Sequence, residues 1–77
     1  MQPLNLSAMD EKELGRRIRQ LREERGWTQE ELAHRAGMTV VYLSGIERGI
    51  QNPSFRKIRG LVAAFNVSFS TLFAEEQ

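Results

Sequence analysis

The sequence predicts an all-α fold in which five helices surround one core. Two observations support this prediction: apolar residues recur at helical spacing, and helix-capping residues precede the apolar segments. The chain has 77 residues, enough for one domain with a small core. We expect this domain over residues 9–74, after a flexible arm over residues 1–8 and before a short tail over residues 75–77.

The first predicted helix opens where Asp10 and Glu13 stand at the spacing of a capping box. Apolar residues then recur one helical turn apart and form a single stripe. This stripe consists of Leu14, Ile18 and Leu21. Gly26 supplies the residue with positive φ that ends the helix.

The second predicted helix begins at another capping box, formed by Thr28 and Glu31. It covers about residues 29–36 and ends at Gly37, which accepts a left-handed backbone at little cost. Thr39 then caps the third helix.

The third predicted helix covers about residues 40–47 and ends at Gly49. Two short helices joined by a tight glycine turn make a helix-turn-helix. Ala33 stands where the two helices must cross, and its small side chain lets them approach closely. The alternative interpretation is a plain helical hairpin inside a bundle.

The last two predicted helices are unusually apolar. Asn52 or Ser54 caps the fourth helix, Asn66 fits its end, and Ser68 caps the short fifth helix. Their apolar side chains exceed what one side of so small a core needs, so we expect some of them to form an interface with a second copy. The expected interface residues are Phe55, Phe65, Phe69 and Leu72. Phe69 is the first choice among them, and the alternative places it in the core.

Charge is unevenly distributed along the chain. The formal net charge is only +1, yet residues 32–74 contain five basic residues and a single acidic one. A basic region on a nearly neutral chain is typical of a surface that binds phosphates. The alternative interpretation is a solvated surface of mixed charge.

The stretches GWTQEELA (residues 26–33), YLSGIERG (residues 42–49) and NPS (residues 52–54) resemble the phage repressor/Cro-type family, also called the XRE family. The part from Tyr42 to Asn52 is most similar to the controller proteins of restriction-modification systems. The resemblance covers most of the chain. It implies a lambda-repressor-like domain of five helices with the helix-turn-helix at helices two and three. It also implies that the third helix enters the DNA major groove, usually in a homodimer.

The resemblance and the position of the third helix indicate which residues contact the DNA backbone. In the family a glutamine at the position of Gln29 contacts the backbone, and the free N–H groups at a helix start favour a phosphate there. The alternative is a glutamine that is merely exposed. The residues expected at the backbone are Gln29, Arg48, Gln51, Asn52 and Arg56, with Arg56 and Lys57 as weaker candidates.

Base recognition is expected at the start of the third helix. The candidates are Thr39, Val40, Val41, Tyr42 and Ser44. Lambdoid repressors carry glutamines at the positions of Val40, Val41 and Gly45, and these three residues offer no side-chain hydrogen bond. We therefore expect few direct base contacts, methyl contacts to thymine, and a contribution from DNA deformability. Gly45 permits either a close approach of DNA or tight helix packing.

The family also pairs an arginine of the first helix with a glutamate at the end of the third. Both partners are present here as Arg22 and Glu47, so the resemblance implies a structural ion pair that fixes the third helix.

Taken together, these features predict a sequence-specific DNA-binding transcription regulator that binds a pseudo-palindromic operator as a homodimer. The alternative is an antitoxin-type module that binds a protein and also binds DNA. We expect no enzyme, since the single histidine, His34, has no catalytic constellation around it. We expect no cofactor, metal, small-molecule ligand or membrane partner. The absence of cysteine, of a signal peptide and of an apolar run long enough for a membrane span favours a cytoplasmic, nucleoid-associated protein.

Overall fold

Five α-helices and their short connections make up residues 9–73, the part of the chain that the computed structural model describes. They are α1 (Glu11–Glu24), α2 (Gln29–Ala36), α3 (Val40–Glu47), α4 (Phe55–Phe65) and α5 (Phe69–Phe73). No strand occurs within these residues, so the predicted all-α class with five helices is confirmed. The predicted arm and tail, over residues 1–8 and 75–77, lie outside the described residues.

Each of the first four helices begins at a side chain that accepts a hydrogen bond from the backbone N–H three residues later. The four capping residues are Asp10, Thr28, Thr39 and Ser54. At α2 the bond is reciprocal, because the Glu31 carboxylate also accepts from the Thr28 N–H at 2.8 Å. The predicted caps are therefore confirmed, with the complete capping box at α2 and only its Asp10 half at α1, and Ser54 rather than Asn52 caps α4.

The same four helices end at a residue with positive φ. These residues are Gly26, Gly37, Gly49 and Asn66. At each end the N–H of the following residue bonds to a carbonyl five residues earlier, as in a Schellman motif. The donor–acceptor pairs are Trp27 to Arg22, Met38 to Ala33, Ile50 to Gly45 and Val67 to Val62. The carbonyls left over at the helix ends thus find partners close by in the sequence.

The hydrophobic core draws residues from all five helices. Its fully buried large side chains are Ile18, Leu32, Leu43, Ile46, Leu61 and Leu72. The predicted stripe of α1 faces this core, with Leu14 and Ile18 buried and Leu21 packed at the edge. Burial of these side chains supplies the main stabilising free energy of so small a domain.

Two glycines inside helices allow close helix packing that their spacing in the sequence does not predict. A Cβ atom on Gly15 of α1 would collide with the backbone carbonyl of Ile46 in α3. A Cβ on Gly60 of α4 would lie only 2.5 Å from the carbonyl oxygen of Ala36 at the end of α2. The absence of a side chain at these positions therefore sets how closely α1 packs on α3 and α4 on α2.

Two arginine side chains, one in α1 and one in the turn that follows it, donate hydrogen bonds to backbone carbonyls at the C-terminal ends of α4 and α5. Arg25 donates to the carbonyl of Phe65 at 2.8 Å, and Arg17 donates to that of Leu72 at 3.2 Å. The Trp27 ring stacks on Phe65, with 6.0 Å between ring centroids. Cations at helix C-termini are favourable because the last carbonyls carry partial negative charge. Within residues 9–73, no helix has the length and apolar character needed to cross a membrane.

Candidate nucleic-acid interface

Helix α3 lies with one face in the core and the other on the surface. Leu43 and Ile46 are buried, whereas Val41 is 76% exposed. The first residues of the helix, Thr39 and Val40, are also exposed. Because α3 packs on both α1 and α2, its outer face has a fixed orientation relative to the rest of the domain.

An ion pair fixes the end of α3. Arg22 donates from Nε and Nη2 to the two carboxylate oxygens of Glu47, at 2.7 and 3.0 Å, and from Nη1 to the carbonyl of Trp27 at 2.8 Å. The side chains retain only 12% and 3% of their exposure. The hydrogen bond to Glu47 raises the pKa of Arg22 above its usual value, although burial acts in the opposite direction. The structure thus brings together the two residues that the family resemblance pairs.

Gln29 joins this pair from the start of α2. Its amide nitrogen donates to Glu47 Oε1 at 3.0 Å, and its side chain is half-buried. An amide nitrogen carries two hydrogens, so one remains for a second acceptor. Gln29 is also the first residue of α2, where backbone N–H groups point outward. The predicted backbone residue therefore stands beside α3 with its side chain oriented by Glu47.

Gly45 lies on the same side of α3 as the exposed Val41, but the loop after α3 covers it. It is buried, and a Cβ atom on it would lie 3.1 Å from the Cβ of Gln51. Its carbonyl accepts from the N–H groups of both Ile50 and Gln51, at 3.0 and 3.1 Å. Of the two interpretations left open for Gly45, the structure supports tight packing, here against the loop that follows α3.

Two of the polar residues expected to contact bases, Thr39 and Ser44, accept hydrogen bonds within the protein through their hydroxyl groups. The Thr39 hydroxyl accepts from the Tyr42 N–H at 3.1 Å, and the Ser44 hydroxyl accepts from Arg48 Nε at 3.3 Å. Tyr42 is half-buried, with its ring centroid 5.9 Å from Lys57 Nζ. The exposed outer face near the helix start is consequently aliphatic, as the sequence indicated.

Lys57 makes a structural contact that no sequence pattern predicts. Its Nζ donates to the carbonyl of Gly37 at 3.2 Å, which links the start of α4 to the turn between α2 and α3. A shallow groove lies beside this contact. It is lined by Ala33, His34, Gly37, Met38, Thr39, Tyr42 and Lys57. A lone lysine in a sequence carries no signal for such a contact, because the acceptor is a backbone carbonyl 20 residues away.

The remaining predicted backbone residues lie at or after the end of α3. Arg48 is exposed there, and Gln51 is half-buried over Gly45. Asn52 is exposed but lines a cleft that also contains Asp10 and Glu11, whose carboxylates would repel a phosphate. Arg56 is exposed on the first turn of α4. Arg48 is thus the one exposed cation in the described residues that extends directly from the end of α3.

The four residues expected at a dimer interface divide into two pairs. Phe55 and Phe69 are on the surface, 67% and 37% exposed, and their rings stack with 5.4 Å between centroids. Phe65 and Leu72 are only 2% and 0% exposed. The expectation that these two form an interface is therefore wrong, because the core of the single chain already surrounds them.

Within the described residues, no group of three or more histidine, cysteine, aspartate or glutamate side chains could hold a metal ion. His34, the residue weighed for a catalytic or ligand role, is exposed on α2.

Comparison with known proteins places these features in a family. The family model described as Helix-turn-helix matches residues 18–72. The HTH-type transcriptional regulator SinR of Bacillus subtilis is 44% identical over 64 residues, which are 82% of this chain and 58% of SinR. The chain therefore spans less than two thirds of the length of that relative.

Two solved structures are similar in both fold and sequence. The restriction-modification controller protein C.AhdI from Aeromonas hydrophila is 37% identical with a TM-score of 0.78, over 80% of this chain and 90% of that one. The structure of SinR in complex with DNA is 44% identical with a TM-score of 0.73, over 78% of this chain and 97% of that one. The chain therefore belongs to the XRE-type helix-turn-helix family that its sequence resembles.

Proposed function

We propose that the protein is a sequence-specific DNA-binding transcription regulator that binds a pseudo-palindromic operator as a homodimer, with α3 in the major groove. The proposal rests on how α3 is held in the fold and which of its faces is exposed. Its inner face is buried, Arg22 and Glu47 fix its end, and its outer face is unobstructed from Thr39 to Arg48. A helix held in this way fits the width of the major groove of B-DNA.

The similar proteins support the same proposal. The SinR structure at 44% identity was solved in complex with DNA. C.AhdI is a restriction-modification controller. Its likeness supports a controller role in a restriction-modification system as the finer form of the proposal.

Charge around α3 supports contacts to the DNA backbone. Arg48 is exposed at the end of the helix, and Gln29 stands at the N-terminus of α2 with N–H donors directed outward. Such groups position a protein on DNA without reading its sequence. Each neutralised phosphate releases counterions, so binding should weaken steeply as salt is raised.

The homodimer is supported by the exposed stack of Phe55 on Phe69. Two large aromatic rings on the surface of so small a domain are more stable when a second copy covers them. A two-fold axis at this surface would relate two copies of α3, and a separation of about 34 Å would match one turn of DNA.

The test is selection of preferred sequences from a random DNA pool at two stated salt concentrations. We expect inverted half-sites about 10 base pairs apart, with affinity that falls as salt rises. Sedimentation of the free protein at tens of micromolar should show the dimer. Binding without sequence preference would contradict the proposal, and so would a selected site without two-fold symmetry.

A further inference from the structure

We propose that Val41 and Ile50 form one apolar ridge that contacts the 5-methyl groups of pyrimidines in the major groove. This inference rests on the proposed function and specifies how it achieves specificity. The recognised chemistry is a methyl-bearing pyrimidine, which in ordinary DNA is thymine. Ile50 was not among the residues expected to contact bases.

The ridge follows from the packing of the loop after α3. Val41 and Gly45 are one helical turn apart and lie on the same side of α3. A Cβ atom on Gly45 would lie 3.8 Å from Cγ1 of Ile50. Ile50 therefore shares with Gln51 the cover over Gly45, on the side of α3 where Val41 lies. The two side chains are 69% and 76% exposed, so their apolar surface faces outward.

The backbone holds Ile50 in this place. Its N–H bonds to the carbonyl of Gly45 at 3.0 Å, and the N–H of Gln51 bonds to the same carbonyl at 3.1 Å. Gly49, just before it, has φ of 78° and packs so closely that a Cβ atom would lie 2.7 Å from Cγ of Lys12. A loop whose backbone is already fixed loses little backbone entropy when a ligand covers it.

The chemistry of the ridge selects the ligand. Valine and isoleucine offer no hydrogen bond, and the methyl group of thymine is the apolar feature that base edges present in the major groove. Arg48 is exposed at the C-terminal end of α3, two residues before Ile50. A cation beside an exposed apolar ridge suits DNA, where phosphates flank the base edges.

The first experiment changes only the DNA. In the selected operator, each thymine is replaced in turn by deoxyuridine, which lacks the methyl group and keeps the same hydrogen-bonding edge. We expect two or more positions per half-site at which the dissociation constant rises about fourfold, the factor that corresponds to about 0.8 kcal/mol for one buried carbon group.

The second experiment assigns those methyl groups to the ridge. Ile50→Ala and Val41→Ala should each weaken binding to the thymine operator and remove the penalty for deoxyuridine at one position. Both side chains are exposed, so the variants should fold, and circular dichroism checks this. Gln20→Ala, on an exposed part of α1, is the matched control and should keep the full deoxyuridine penalty.

The outcomes separate this inference from the proposed function. Equal affinity for thymine and deoxyuridine operators, with sequence preference intact, would contradict the proposed methyl contacts. It would leave the proposed DNA-binding function unaffected. A deoxyuridine penalty that is unchanged in both alanine variants also overturns it, because another residue then contacts the methyl groups. Absence of any sequence-preferring binding overturns the proposed function itself.

Discussion

Arg22 and Glu47 join the last turn of α1 to the last residue of α3 through two hydrogen bonds. The same carboxylate accepts a third bond from Gln29, the first residue of α2. One acidic side chain thus connects the three helices that define the candidate interface. Since nearly all of that carboxylate is buried, the position of α3 depends on charges that water cannot easily screen.

Removal of this charge should destabilise the fold. We expect Glu47→Gln to lower the free energy of unfolding by about 3 kcal/mol, because Arg22 is then left largely buried without a counter-charge. Urea unfolding followed by the fluorescence of Trp27 measures the effect. The control is Glu23→Gln, which breaks the exposed pair with Arg19 and should cost less than about 0.5 kcal/mol. Similar losses in both variants would contradict the assigned importance of the buried pair.

The pair should be insensitive to alkaline pH. The raised pKa of Arg22 means that its contribution to stability is present below the pKa of the unfolded state and is lost only as pH rises through the still higher value of the folded state. That range lies far above neutral pH, because even the ordinary pKa of arginine is strongly alkaline. We therefore expect the stability difference between the wild type and Arg22→Met to be constant from pH 7 to about pH 10. A difference that shrinks in this range would count against the assignment.

Gly15 should be intolerant of the smallest side chain. Helix propensity alone predicts that Gly15→Ala stabilises α1 by about 1 kcal/mol. The added methyl group would instead meet the backbone carbonyls of Ile46 and Glu47, so we expect a loss of about 3 kcal/mol. Thermal unfolding measures the change, and Gln20→Ala on the same helix should leave stability within about 0.5 kcal/mol. An increase in melting temperature for Gly15→Ala would show that α1 and α3 are less closely packed.

Arg48 should contribute to affinity through the DNA backbone. We expect Arg48→Met to weaken binding to all DNA sequences alike and to reduce the slope of log K against log salt by about 1. Arg19→Met, which removes an exposed charge of α1, is the control and should leave the slope unchanged. If Arg48→Met altered the preferred sequence and left the slope intact, Arg48 would contact bases instead.

The two stacked rings should govern association between copies. We expect Phe69→Ser to lower the dimer fraction in sedimentation while melting of the single domain changes little, because the ring is on the surface. Phe65→Ala is the contrasting variant and should cost about 3–5 kcal/mol of folding stability, since its ring is in the core. Unchanged sedimentation of Phe69→Ser would exclude this surface as the dimer contact.

The sequence was sufficient where structure is determined locally. The bounds of α2 and α3 agree with prediction residue by residue, because Thr28, Thr39 and the glycines after each helix determine where it starts and stops. The ion pair of Arg22 with Glu47 came from the family resemblance. These features depend on short-range patterns or on residues that the family shares.

The sequence was insufficient where distant parts of the chain meet. A glycine inside a helix has the same pattern whether it faces a carbonyl, as Gly15 does, or a loop, as Gly45 does. Apolar content also cannot separate Phe65, which packs on Trp27 in the core, from Phe69 on the surface. Each distinction depends on the partner across the fold, which spacing along the chain does not encode.

The local hydrogen bonds that define the ends of α1 to α4 affect the rate at which the protein folds. Each boundary is formed by bonds between residues no more than five positions apart. Such bonds need little loop closure, so these helix ends can form early in folding, although the short helices become stable only when they pack together. Refolding should therefore finish within microseconds to milliseconds, as it does for other proteins dominated by local contacts. A domain dominated by such local contacts can therefore fold soon after its synthesis.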